Sequence, residues 1–421
     1  MTATAEPTRL QGGLARTLVV LVFLNLNGVS FMLLGLNRLF SLILLACALL
    51  LVVLHRKVRM DIGYALFLCV TFGYLFFGTL FIIIYNDGQA SQALTLTMLG
   101  SLLLVTALTV HIHALSGARD LDRFLRFMRN TAVFSALMTL ASPVLYQIYL
   151  NPPPSAAFRY AGLFANPNEA ALMGTIAFAM LLGTPYRIRL VNISALGLVG
   201  LATIVPYSKT GILLLSVLVI LSILELKSRL RFLLMPLVLI ATAGLLANPE
   251  RLIDLIATQE VVELDSNQIN RLSATVLAAT GQFDSEVTTG RTDMWAISVE
   301  KALSVFPFGT GLNSFHAIEG GIMGMQTWLG AHNTFLMIWG EAGFAVLLAF
   351  LALTVVLAVS CLRSPRPRFS FYLFVIFLVS AMTSHEALEL RFMNVVLALM
   401  LGLAQLRPAA DGVRAKRPAS V

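Results

Sequence analysis

The sequence predicts an all-α polytopic membrane protein, with about twelve transmembrane helices and one large helical loop on a single face. Three observations predict it. First, the 421 residues are 58% hydrophobic and only 12% charged, too little polar surface to coat a soluble core of that size. Second, apolar runs of roughly 17–25 residues recur, the length that crosses a bilayer core as helix. Backbone groups in lipid must be satisfied internally, so these runs are helices rather than open strands. Third, 21 of the 29 Lys and Arg fall in alternate loops, as the positive-inside rule demands.

Taken in order, the runs lie near 16–35, 39–54, 62–84, 92–112, 127–148, 168–184, 190–206, 210–226, 230–247, 333–360, 370–384 and 391–406. The first has no small-residue cleavage site ahead of a soluble domain, so it reads as a span and not as a signal peptide. The fifth extends back toward Leu121 as an interfacial helix. The expected organisation is one membrane domain, 1–421, with a large outer loop at 248–332 and a polar, disordered tail at 407–421. With both termini cytoplasmic, the inner loops carry Arg9 and Arg16; Arg56, Lys57 and Arg59; Arg119, Arg123, Arg126 and Arg129; and Arg187 and Arg189. Lys227, Arg229 and Arg231, then Arg363, Arg366 and Arg368, then Arg407, Arg414, Lys416 and Arg417 continue the pattern.

The same distribution explains the net charge of +8: the surplus sits where topology and anionic lipid require it. No basic patch interleaved with aromatics and no recognition motif argues for nucleic acid. Cys47, Cys69 and Cys361 lie in or at the edges of spans without CxxC spacing. They read as small buried hydrophobes, with no disulfide framework or zinc site.

Eight basic residues fall outside: Arg38, Arg159, Lys209, Arg251, Arg271, Arg291, Lys301 and Arg391. Arg251, Arg271 and Lys301 read as surface residues of the long loop. Arg159, Lys209, Arg291 and Arg391 flank spans or motifs and are the better site candidates. The long loop reads as helical, with Ile269, Leu272, Val276 and Leu277 at helical spacing. Thr292 caps a helix through Met294, Trp295 and Leu303 that stops before Pro307. Such helices would lie on the membrane surface as a lid.

Three further segments stand out. Asn151-Pro152-Pro153-Pro154 is stiff and extended and leads to Arg159 and then Gly162-Leu163-Phe164-Ala165-Asn166-Pro167-Asn168. Ser208-Lys209-Thr210-Gly211 puts a lysine between two spans. Gly290-Arg291-Thr292 with Trp295, then Pro307, Gly309 and Gly311, then His332-Asn333 with Gly343 eleven residues after the histidine, close the long interval. In this order and on one face, from about Arg159 to Gly343, these residues resemble the O-antigen ligase and Wzy-type polymerase superfamily of bacterial membrane glycosyltransferases. Lys209 followed by Leu213 resembles that family's Arg-x3-Leu element, with lysine where arginine is usual. His332 and Gly343 resemble its His-x10-Gly pattern.

The resemblance implies a GT-C-like, all-helical fold in the bacterial cytoplasmic membrane, with the long loop and the active site periplasmic. It implies transfer of a glycan from undecaprenyl pyrophosphate to a sugar hydroxyl. The acceptor would be lipid A core in a ligase, or a second lipid-linked glycan in a polymerase, the latter with a chain-length regulator as partner. It implies no metal ion, nucleotide sugar or other cofactor. The one Asp-x-Asp, Asp120-Leu121-Asp122, falls on the cytoplasmic side, so arginine and lysine would do what a divalent cation does elsewhere.

Such a reaction needs a base for the hydroxyl and positive charge for the departing phosphates. His332 suits the base, because an ordinary imidazole pKa of about 6.5 leaves it able to accept a proton near neutrality. Read alone, it would be a capping or packing histidine. Arg291 suits the leaving group through its planar fork, against the bland reading of a surface arginine paired with Asp293. Lys209 would be a second phosphate contact or a snorkelling cation. Arg159 and Arg391 would bind pyrophosphate or anchor their spans. Asn168, Trp295, Asn333 and His385 are further candidates to line the cavity. His316 reads as a loop residue without a motif.

Two other classes compete. A lipid-linked glycan flippase or transporter suits twelve spans, but transporters keep ionisable residues at mid-membrane, whereas polarity here gathers on one outer loop. A non-catalytic scaffold would tolerate loss of His332. Ligase and polymerase remain equally open.

Overall fold

The computed structural model describes residues 7–36, 39–55, 60–85, 92–115, 118–152, 159–225, 291–316, 318–322, 325–384 and 386–406. The expected span at 230–247, the loop residues 248–290, His385 and the tail 407–421 lie outside the described residues, as does the side chain of Arg291.

Among the described residues, ten helices run from the amino-terminal end to the long interval: α1 (Arg9–Phe23), α2 (Leu26–Leu34), α3 (Leu39–Leu54), α4 (Ile62–Tyr85), α5 (Gln92–Ala114), α6 (Ala118–Leu137), α7 (Ser142–Ile148), α8 (Pro167–Gly183), α9 (Arg189–Ile204) and α10 (Lys209–Leu224). Beyond it come α11 (Arg291–Ser304), strands β1 (Ile318–Ile322) and β2 (Met325–Leu329), then α12 (Thr334–Ala342), α13 (Phe344–Arg363), α14 (Pro367–Thr383) and α15 (Arg391–Gln405). Each expected apolar run within the described residues is helical. Among those residues three helices, α4, α5 and α13, are long and apolar enough to cross a membrane, or up to five spans if the bent pairs α1–α2 and α6–α7 each count as one. The bends are 54° and 77°.

Three runs that read as unbroken spans are therefore interrupted. Asn25 adopts the left-handed region (φ 44°) between α1 and α2, a conformation that asparagine tolerates and other non-glycine residues avoid. The run 127–148 breaks at 138–141, and Pro143 then suits the first turn of α7. The run 333–360 breaks at Gly343 (φ 88°), so the spanning helix starts at Phe344 and α12 is a separate nine-residue element.

The long loop is not wholly helical. Ile318 to Leu329 form an antiparallel hairpin in which Ile322 pairs with Met325. The local sequence favours this, because Gly320 and Gly321 weaken helix. Helix α11 begins at Arg291, so Thr292 lies in its first turn and not ahead of it.

Packing sorts the helices. In α15 every residue from Phe392 to Leu403 is buried, and in α8 every residue from Ala170 to Leu181, the mark of helices surrounded on all sides. Helix α15 packs most extensively on α5, where the buried Asn394 amide donates to Ser101 Oγ at 2.7 Å. By contrast, α3, α4, α9 and α13 present large apolar side chains outward, among them Leu42, Phe76, Ile83, Leu190 and Val355. A water-soluble protein rarely exposes so continuous an apolar belt; against lipid it costs nothing.

Candidate functional site

The site is built where helix ends meet. Asn166 caps α8: its side-chain oxygen accepts the Asn168 N–H at 2.9 Å, and Pro167 takes the first helical position, where no N–H is needed. Ser208 caps α10 in the same way, accepting from Gly211 N. Asn333 caps α12, accepting from Phe335 N at 2.9 Å and Leu336 N at 3.2 Å. These three amino-terminal ends open on one cavity of about 120 Å³. Asn166, Asn168 and Glu169 line it from α8, Thr210 from α10, and His332 from just ahead of α12. Ser380, Thr383 and Ser384 at the end of α14, then Glu386 and Leu390 ahead of α15, complete the wall. Aligned peptide dipoles make each amino-terminal end electropositive, which suits an anion.

The loop before α8 is held rigidly. Gly162 sits at φ 60°, and a Cβ there would lie 2.8 Å from the backbone of Thr139, so only glycine fits. Its N–H donates to Ser142 Oγ at 2.9 Å and its carbonyl accepts from the Tyr149 hydroxyl at 3.0 Å. Asn25 Nδ2 donates to Leu163 O at 3.0 Å, so the break in the first run also secures this loop.

Arg159 bridges two of the sequence segments. Its Nε donates to Pro206 O at 2.8 Å, and its Nη2 to Asn168 Oδ1 at 3.0 Å and Tyr207 O at 3.4 Å. The guanidinium thus ties the α8 cap to the turn that carries Lys209. Tyr207 is left-handed (φ 51°) in that turn, and burial together with neighbouring Tyr160 raises its phenol pKa.

The candidates divide accordingly. His332 and Asn168 share the cavity, and Thr210 brings the Lys209 turn to it. Arg391 donates to Ser41 Oγ on α3 at 2.8 Å, which is the span-anchoring alternative. Asn333 is committed to capping α12, and neither it nor Trp295 is among the described lining residues. Arg291 begins α11, which packs on α12 through a buried stripe of Met294, Ser298 and Ala302; its side chain lies outside the described residues. Among those residues no three His, Cys, Asp or Glu gather as ligands to one metal ion would.

Sequence reasoning missed a second cluster. His316 is not a plain loop residue: its Nδ1 lies 2.9 Å from Glu341 Oε1 and its Nε2 2.9 Å from Glu389 Oε1. Glu341 is fully buried; its Oε1 also accepts the Phe315 N–H at 2.9 Å, and its Oε2 accepts from the Tyr74 hydroxyl. Burial by itself would lower the His316 pKa, but the hydrogen bonds and charges of Glu341 and Glu389 outweigh it and hold the imidazole up, at about 10. A signal was present in the sequence: Glu341 is a lone carboxylate in an otherwise apolar run, and such residues are costly unless partnered. Lys301, expected on the loop surface, donates to Ser314 O at 3.3 Å and sits over the Phe315 ring.

Residues 193–351, less than half of the chain, match the family model described as O-antigen ligase. No curated protein matches the chain. The matched stretch takes in the Lys209 turn, α11, the hairpin, His332 and α12, but not Arg159, Asn168 or Glu386. With the membrane-length helices, the match points to a bacterial inner-membrane protein and to a glycosyl-transferring enzyme whose substrates are lipid-linked glycans in general. Residues 193–351, which supply Thr210 and His332 to the cavity, are thus similar in sequence to the O-antigen ligase family.

Proposed function

We propose that the chain transfers a glycan from undecaprenyl pyrophosphate to a sugar hydroxyl at the periplasmic face of the cytoplasmic membrane, as a ligase or a polymerase of surface polysaccharide, on a GT-C-like helical scaffold. The observation that carries the reading is His332 in a polar cavity bounded by the amino-terminal ends of α8, α10 and α12. In the proposed step the acceptor hydroxyl oxygen attacks the anomeric carbon and its proton passes to the His332 imidazole. The bond from the anomeric carbon to the pyrophosphate oxygen breaks, and undecaprenyl pyrophosphate leaves with the electron pair. The helix ends, Lys209 and Arg291 supply the positive field that the leaving group needs, with no metal in the step. Arg159 orients Asn168 and the Lys209 turn, and Arg391 anchors α15.

Helix length supports a site at headgroup depth. Helices α8, α10, α14 and α15 have 17, 16, 17 and 15 residues, or about 23–26 Å at 1.5 Å per residue, against a hydrocarbon core of about 30 Å. Short helices, of which α8 and α10 begin in polar caps, leave a depression where a pyrophosphate headgroup sits while its polyprenyl chain stays in lipid.

The test is reconstitution of the protein in vesicles with an undecaprenyl-pyrophosphate-linked oligosaccharide, with and without lipid A core. A ladder of products identifies a polymerase, and a single capped product a ligase. His332→Ala is expected to fold and to lose transfer. Wild-type transfer by that variant, or donor flipping with no glycosidic bond formed, overturns the proposal.

A further inference from the structure

We infer that His316 is a positioning residue: clamped between Glu341 and Glu389, it fixes the stem from which His332 enters the cavity and the turn that places Glu386 in the same cavity wall. The inference rests on the transfer reading of the His332 cavity.

Four segments meet at this imidazole. Tyr74 comes from α4, Phe315 and His316 from the stem of the hairpin, Glu341 from α12 and Glu389 from the turn ahead of α15. Both ring nitrogens face carboxylate oxygens at 2.9 Å. A neutral ring would turn one lone pair toward a carboxylate, so between two ionised carboxylates the geometry favours a proton on each nitrogen. Among the described residues, Tyr74, reached through Glu341, and Lys301 on α11, which donates to Ser314 O, also stand beside it.

The clamp is linked to the cavity at both ends. On one side, the chain leaves His316 into the hairpin and returns at Ala331, whose N–H donates to Phe315 O at 3.0 Å. His332 follows directly, in the left-handed region at φ 46°, a conformation that surrounding structure must enforce. On the other side, the Glu389 N–H donates to Glu386 O at 2.8 Å, and Glu386 lines the cavity with His332. Loosening His316 would free the base and the Glu386 carboxylate together, and misplacement by about 1 Å costs on the order of 10²-fold in rate.

The experiment uses the full-length protein, reconstituted with undecaprenyl-pyrophosphate-linked oligosaccharide, and compares Glu389→Gln and His316→Gln with His332→Ala. A clamp predicts that Glu389→Gln keeps the wild-type elution profile and KM for the donor while kcat falls by about 10²-fold. A folded Glu389→Gln with wild-type kcat overturns the inference, and so does one in which KM rises and kcat is kept. A second arm needs no activity. In protein with ¹⁵N-labelled histidine, one doubly protonated imidazole persists at pH 8 and disappears in His316→Gln; its absence from the wild type overturns the clamp. The two failures are separable. Full transfer by His332→Ala sinks the functional reading and leaves the labelled-histidine result standing, whereas an inactive His332→Ala beside a fully active Glu389→Gln sinks only the positioning role.

Discussion

Gly309→Ala is the sharpest probe of how the segment after α11 supports the site. A Cβ at Gly309 would lie 2.5 Å from the carbonyl carbon and oxygen of Glu341 and 2.8 Å from Ala342 N. Ordinary contact begins at 3.4 Å, so the two backbones must part by 3.4 − 2.5 = 0.9 Å, and neither is a flexible side chain that could swing away. That separation pulls on the hydrogen bonds from Thr310 N to Gly340 O (2.7 Å) and from Gly311 N to Glu341 O (3.1 Å). Overpacking of this kind costs about 1–3 kcal/mol, with about 1 kcal/mol more for each hydrogen bond stretched beyond reach. Because Glu341 moves with its helix, the His316 clamp and His332 shift too, and transfer falls by about 10²-fold. The assay pairs the thermal midpoint in detergent with glycan transfer in vesicles. Gly197→Ala is the control: in α9 a Cβ there meets nothing within 4 Å, and alanine in a helix is neutral to about 1 kcal/mol stabilising. If Gly309→Ala matches Gly197→Ala in midpoint and rate, the close packing of this segment on α12 is not what holds the site.

Two further outcomes follow from the same geometry. Arg159→Lys replaces a guanidinium that reaches Pro206 O, Asn168 Oδ1 and Tyr207 O by a single ammonium that cannot span them; transfer should drop about tenfold, the equivalent of one charge-assisted hydrogen bond of roughly 1.5 kcal/mol, in a folded protein, and an unchanged rate would show that the fork does not hold the Lys209 turn. The His316 clamp also sets a pH dependence. Its folded pKa of about 10 lies above the ordinary histidine value of about 6.5, so its stabilising share is complete below about pH 6.5 and declines as pH rises through 10. Denaturation midpoints of wild type and His316→Gln should therefore converge toward alkaline pH, and a gap that widens with pH would contradict the assignment.

Reading by residue type succeeded in part where a local cause acts. Ser208 and Asn166-Pro167 cap helices by local chemistry that the motif reading passed over, and Thr292, the one cap read from the sequence, lies inside its helix. Gly162 stood in a motif and proves to need φ 60°. Reading failed where the cause is distant. Ser41, 350 residues earlier in the chain, is a partner of Arg391 that nothing near either residue announces. His316 looked idle because Glu341 and Glu389, 25 and 73 residues away, carry no local sign of being its neighbours. The hairpin was missed because its five-residue strands are too short to outweigh a helical reading of the whole loop.

The sequence by itself determined the membrane class and the helical nature of the apolar runs, because a backbone placed in lipid must satisfy its hydrogen bonds within a few residues. Only the tertiary structure decided where runs break, which helix ends converge on His332, and that His316 joins α12 to the turn before α15. Those outcomes depend on packing and hydrogen bonds between segments far apart in the chain, which no periodicity along it records.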